Sequence, residues 1–420
     1  MLDIIALRRD FHQYPEVGFT EFRTASKVVE ILTSLGYDVI YGKDALDGDS
    51  RRGLPAEEVL DEAFVRALRD GANADILEKM KGGYTAVIGI LKGKEQGLTV
   101  AFRFDMDALP IHESIDSDHF PQAKGFRSKY EGNMHACAHD GHTAIGLGFA
   151  DKLSDRNFSG TIKLIFQPAE EGVRGAYSIV QKGMLDDVDY LFCHHLGTGV
   201  PLGEFHGGAS GFLASTKLAV HFHGISSHAG ASPEKGRNAL LGAATALLNI
   251  HAVSRFSSGS TRVNVGVLEG GTAANIIPQH AKMLVETRSV SEEVNEEVER
   301  RVRTIIAHSA EMHELQHEIQ VIGAAIPIDC DLDLVTLAVE EASNIEGFST
   351  CKNFGDSNST GSEDASFMIR RVQENGGKGT YMIIGTGIPA PHHHPKFDIQ
   401  EEVLPWSVEL LERIARRTLT

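Results

Sequence analysis

The run Gly97-Leu-Thr-Val-Ala-Phe-Arg-Phe104 is apolar at strand length and stops on Asp105 and Asp107. Three more runs behave alike. Thr161-Ile-Lys-Leu-Ile-Phe166 leads into Glu170 and Glu171, and Asp189-Tyr-Leu-Phe-Cys193 leads into His194 and His195. Gly379-Thr-Tyr-Met-Ile-Ile-Gly385 is followed, after a loop, by Pro391-His-His-His-Pro395. Strands of this kind alternating with helical stretches predict an α/β domain, and open α/β sheets bind ligands beyond the carboxyl ends of their strands. Four such ends furnished with carboxylates or imidazoles predict a metal site there.

The stretch Met134-His-Ala-Cys-Ala-His-Asp-Gly-His142 adds Cys137 and His139. Thiolate, imidazole and carboxylate are the donors that hold zinc or manganese, and a second carboxylate beside a ligating one is placed to take a proton from a metal-activated water. Singly, each piece has a bland reading: a lone Cys is usually a small core hydrophobe, and a Glu pair a solvated face. Their recurrence at the ends of separate strands favours a metallohydrolase.

A length of 420 residues exceeds one ordinary core and predicts two domains. A net charge of −18 argues against nucleic acid or an anionic membrane surface as partner. Four widely spaced cysteines, at 137, 193, 330 and 351, do not form a disulfide framework. Reduced thiols and a cytoplasmic location are expected. The opening Met1-Leu-Asp-Ile-Ile-Ala-Leu-Arg-Arg9 places its positive charges after its apolar residues, the reverse of a secretory signal, and no apolar run reaches membrane-spanning length.

Val28, Val29, Ile31, Leu32 and Leu35 form a helical stripe ended by Gly36. Residues 41–81 read as an excursion, a loop followed by a charged helix with Leu60, Phe64 and Leu68 at four-residue spacing. Between 215 and about 327 the pattern changes to strand, helix, two strands, helix, strand, a split βαβ or ferredoxin-like unit. The expected organisation is a discontinuous catalytic domain, 1–214 and 326–420, interrupted by a lid or dimerisation domain at 215–325.

The runs Arg103-Phe-Asp-Met-Asp-Ala-Leu-Pro110, Met134 to His142, Gln167-Pro-Ala-Glu-Glu-Gly172, Ser227-His-Ala-Gly230, Asn275-Ile-Ile-Pro278, Gly361-Ser-Glu-Asp364 and His393-His-Pro-Lys-Phe397 carry a resemblance. In this order they resemble the amidohydrolase family of dinuclear metallopeptidases, which includes hippurate hydrolases, auxin-conjugate hydrolases and aminoacylases. The resemblance spans almost the whole chain. The insertion with Ser50-Arg-Arg-Gly-Leu-Pro55 is similar to the branch that hydrolyses p-aminobenzoyl-glutamate.

That resemblance implies two divalent ions, manganese or zinc, ligated by Cys137, His139, Glu171, His195 and His393, with Glu170 as general base. It selects His195 over His194, and His393 over His392 and His394, which are then expected to be solvated neighbours. Ala138 departs from the Gly usual there. Asp107 is expected to orient a ligand, whereas Asp105 has no assigned role beyond capping a turn. His228 is expected to reach into the active site of a partner chain and polarise the scissile carbonyl, with Asn275 and Arg288 binding substrate; Arg288 reads equally as a strand-end ion pair. The implied activity is hydrolysis of the amide bond of N-acyl amino acids with aromatic acyl groups. The alternatives are a different acyl-amino-acid specificity, or a non-catalytic chain serving a paralogous partner. The expected assembly is a homodimer, or a heterodimer with a B-type chain.

Overall fold

The computed structural model describes residues 2–355 and 361–420. The chain divides into two units. One is built from the chain up to Ser210 and from Ile328 onward, the other from Gly211–Pro327 with a short return ending at Glu363. These joins lie within a few residues of 214 and 326.

In chain order the strands are β1 (Asp38–Tyr41), β2 (Val87–Lys92), β3 (Glu95–Asp105), β4 (Ser159–Gln167), β5 (Tyr190–Leu196) and β6 (Glu204–Gly208). The second unit holds β7 (Ala214–His223), β8 (Thr261–Gly270), β9 (His280–Ser289) and β10 (Gln316–Ala325). The first unit resumes with β11 (Thr350–Phe354) and β12 (Lys378–Ile384). Its sheet has the order β1-β2-β4-β3-β5-β12-β6-β11. The four central strands, β4, β3, β5 and β12, run parallel and side by side, so their carboxyl ends share one edge. They are the four runs whose ends carry carboxylates and imidazoles.

Aromatic side chains make that sheet a packed layer. Phe102 stacks on Phe192 with ring centroids 5.3 Å apart, and Phe104 on Phe166 at 5.2 Å. Helix His139–Leu153 lies against these rings because Gly146 lacks a side chain; a Cβ there would sit 2.8 Å from ring atoms of both Phe104 and Phe166. The close approach sets the first residue of the helix, His139, at the strand ends. In the excursion, helices Glu57–Arg69 and Ala74–Met80 bury Leu60, Ala63, Phe64, Ala67, Leu77 and Met80, while Leu68 is exposed. The alanines, not Leu68, complete the buried face.

The second unit is a fully antiparallel sheet, β10-β7-β9-β8. Helices Ala239–His251 and Glu292–Met312 pack Ala243, Ala246, Val302 and Ile306 against Leu218, Val220, Phe222, Met283 and Val285. Asn238 and Ser291 start these helices by accepting hydrogen bonds from Leu240 N and Leu241 N, and from Val294 N. The element order is βαββαβ. Among the described residues no helix is long and apolar enough to cross a membrane.

Candidate metal centre and active site

Three overlapping donor groups gather at the carboxyl edge of the central strands. Donor atoms of Cys137, His139 and His195 lie within 4.8 Å of one another, as do those of Cys137, Glu171 and His393, and those of His139, Glu170 and Glu171. The five expected ligands and the expected base therefore form one continuous cluster in the first unit. Cys137 Sγ is 3.5 Å from His195 Nε2, and His393 Nε2 is 3.3 Å from Glu171 Oε1.

Both buried histidines of the cluster have their orientation fixed from behind. His139 Nδ1 donates to the carbonyl of Asp107 at 2.8 Å, and His195 Nδ1 to that of Leu196 at 2.8 Å, which turns each Nε2 and its lone pair inward. Among the described residues His139 Nε2 and Glu171 Oε1 are shielded from solvent and make no hydrogen bond, Glu171 Oε1 having only its 3.3 Å ion-pair contact with His393. A buried polar atom without a partner is costly, and a cation would satisfy both at once. Burial, reinforced by Glu171 and Glu170, pushes the Cys137 thiol well above its usual range, so its thiolate calls for a compensating positive charge. The donor set fits a pair of divalent ions of borderline character.

Asp107 organises the carboxylate side. Its Oδ1 accepts from Glu170 N and its Oδ2 from Glu171 N, both at 2.9 Å, while its carbonyl holds His139. The loop bearing the glutamates is closed tightly: Gly175 passes so near the Pro168 carbonyl that a Cβ would overlap it. Five non-glycine residues with left-handed backbone flank the cluster or lie within it: Ala138 (φ 69), Ala169 (φ 53), Val173 (φ 60), Thr198 (φ 49) and His393 (φ 65). Such conformations each cost on the order of 1–3 kcal/mol and persist where the surroundings over-determine them.

Asp105 does not cap a turn. It accepts from Arg103 Nη1 and from His142 Nδ1, each at 2.5 Å, and lies 3.7 Å from His139 Nε2. Its burial is outweighed by Arg103, His139 and His142, which hold the carboxyl well below its usual range. Arg103 also donates to Gln167 Oε1 at 2.8 Å, and Gln167 donates to Asp364 Oδ1 at 2.7 Å. This buried charge network is tied through His142, whose Nε2 accepts from Leu196 N, to the end of β5. Arg103 and His142 lie in the quoted runs, but the sequence assigns neither a role.

His392 is a correction. It is not a solvated neighbour: its Nδ1 is 3.5 Å from Cys137 Sγ, its Nε2 accepts from Thr198 N, and its ring packs on those of His195 and Phe397. His394 is exposed, as expected. His194 is buried on the other side of β5 against Phe104 and His142.

His228, Asn275 and Arg288 all belong to the second unit. The structure brings the first two together: His228 bridges Ile276, and the Asn275 carbonyl accepts from Ala229 N at 3.0 Å. His228 Nδ1 accepts from both Gly230 N and Ala231 N at 3.1 Å, so the ring proton sits on Nε2 of an exposed side chain. Arg288 contacts Glu286 at 2.9 Å, the strand-end ion pair of the alternative reading.

Residues 101–417 match the model of peptidase family M20/M25/M40. The chain belongs to this family. It is 46% identical over 407 residues to an indole-3-acetyl-aspartic acid hydrolase of Enterobacter agglomerans, covering 96% of this chain and 93% of that protein. It is 44% identical over 410 residues to a p-aminobenzoyl-glutamate hydrolase subunit of Escherichia coli, covering 97% and 94%. Among solved structures it is similar to an aminobenzoyl-glutamate utilization protein from Klebsiella pneumoniae, with a TM-score of 0.86, 42% identity, and 99% and 95% of the two chains covered. The family membership makes the chain a hydrolase of amide bonds, and its mixed α/β architecture is that of the family.

Proposed function

We propose that the chain hydrolyses the amide bond between an aromatic acyl group and an acidic amino acid, with p-aminobenzoyl-glutamate as favoured substrate. The observation that carries this is the shared chemistry of its two relatives' substrates, an indole-3-acetyl group on aspartate and a p-aminobenzoyl group on glutamate. Cys137, His139, Glu171, His195 and His393 would hold two divalent ions, manganese or zinc. The ions supply the Lewis acidity that makes water a nucleophile near neutral pH.

Glu170 accepts the proton of the attacking water and returns it to the departing amine. Its backbone N–H, like that of Glu171, is fixed by Asp107, which keeps the two carboxylates side by side. His228 offers its Nε2 proton to the scissile carbonyl of a partner chain's substrate, while Asn275 and Arg288 bind the amino-acid half, Arg288 as a partner for its carboxylate. The four cysteines are free, in keeping with a cytoplasmic enzyme. The proposed assembly is a dimer, with itself or with a B-type chain, a choice raised by the Escherichia coli relative being named as one subunit of its hydrolase.

The test is a panel of p-aminobenzoyl-glutamate, indole-3-acetyl-aspartate and hippurate, offered to the purified chain with manganese or zinc and followed by release of the aromatic acid. Preference for the two acidic conjugates supports the proposal. Preference for hippurate, or no hydrolysis of any conjugate, contradicts it.

A further inference from the structure

We propose a separate metal site on the second unit, in which His221, His223 and His280 bind one late-transition divalent ion such as zinc. His221 and His223 stand two apart on β7, so both side chains leave the same face of the sheet. That face is opposite the one covered by the two helices, since the intervening Phe222 is buried in their core. On the neighbouring strand β9, His280 is directly opposite His223. Three imidazoles from two adjacent strands thus share one patch.

Their spacing suits a common ion. His221 Nδ1 and His280 Nε2 are 3.2 Å apart. Two nitrogens bound to one tetrahedral zinc by bonds of about 2.0–2.1 Å stand roughly 3.3 Å from each other. The ring centroid of His280 is 5.4 Å from that of His221 and 5.4 Å from that of His223. His223 Nε2 is shielded from solvent and has no hydrogen-bond partner among the described residues. The ring centroids of His221 and His223 are 6.4 Å apart, so His223 stands beside the His221–His280 pair as the third imidazole of the patch.

A candidate fourth donor stands on the other neighbouring strand. Glu318 on β10 is directly opposite His221. Lys282, opposite His221 on β9, is engaged by Glu269 at 3.6 Å. Burial, His280 and Lys282 hold His221 below the usual imidazole range, which keeps its lone pair available. A set dominated by imidazole selects zinc, nickel or copper over manganese or magnesium. The site shares no residue with the Cys137 cluster and rests on nothing in the amidase reading.

The experiment is a zinc count on the full-length chain after saturation and desalting, for the wild type and for His221→Ala, His280→Ala and His308→Ala. His308 is an exposed histidine on helix Glu292–Met312 and serves as control. Zinc that fills the Cys137 cluster enters every protein alike and cancels in the difference. The wild type and the control should each hold one zinc per chain more than either sheet variant. His221→Gln, which keeps the side-chain bulk, should show the same loss if an alanine variant fails to fold. Equal zinc in the wild type and the folded sheet variants overturns the proposal, whether or not the chain hydrolyses any amide.

Discussion

At the scale of single residues, the Asp107 carboxylate holds the backbone N–H groups of Glu170 and Glu171, and its carbonyl holds the His139 ring, so loss of the carboxylate should disturb ligands it never touches through a metal. Asp107→Ala is expected to lower metal affinity about 10- to 100-fold, the usual cost of losing an orienting partner, measured by competition with a chelating dye. Unchanged affinity would mean the loop is fixed by Gly175 and its neighbours alone. Ala138 holds a left-handed backbone at φ 69 in a buried position. Ala138→Gly should therefore keep metal and turnover, whereas the β-branched Ala138→Val should lose both and destabilise the chain by roughly 2 kcal/mol or more, read by denaturant unfolding. The departure from Gly was visible in the sequence; the backbone angle that gives it meaning was not. The roles of His142 and His392 are not legible locally, because their partners Leu196, Thr198 and Cys137 lie on other segments and no local period points to them.

At the scale of elements, the four central strands were legible because apolar runs of strand length ending in polar clusters are a strong signal. The short strands β1, β6 and β11 were not, having only four or five residues each. The first helix, Ile4–Gln13, carries a buried ionic cluster that joins several ligand-bearing segments. Arg8 contacts Asp140, Asp398 and Glu401, and His12 contacts Asp140 at 2.8 Å and Glu113 at 3.0 Å. Burial disfavours the His12 cation, but Asp140 and Glu113 outweigh it and raise the group to about 9. A raised pKa contributes stability that is full below the unfolded value of 6.5 and is lost as pH climbs through about 9. The wild type should thus lose on the order of 3 kcal/mol across that window. His12→Gln should be less stable at pH 6 and show a flatter alkaline limb in urea unfolding. An unchanged slope would show that His12 is not the group responsible.

At the scale of the whole molecule, the interrupted order of the chain was readable because the βαββαβ run differs so plainly from the strands around it. Which surface assembles was not readable, since edges and faces of a four-stranded sheet look alike in sequence. If His228 serves a partner's site, mixing inactive His228→Ala chains with inactive Glu170→Ala chains should restore part of the activity. Absence of recovery, with exchange of chains confirmed by mass, would place His228 in its own chain's site or outside catalysis.

The central claim is that a pair of ions and Glu170 together hydrolyse the amide. It is tested most directly by titrating manganese into metal-free protein while following both bound metal and release of p-aminobenzoate from p-aminobenzoyl-glutamate, for the wild type and Glu170→Ala. Activity of the wild type should rise to a plateau at two ions per chain. Glu170→Ala should bind the same two ions with turnover lower by roughly a hundred- to ten-thousand-fold. Turnover that is independent of added metal, or a Glu170→Ala protein as active as the wild type, would contradict the account.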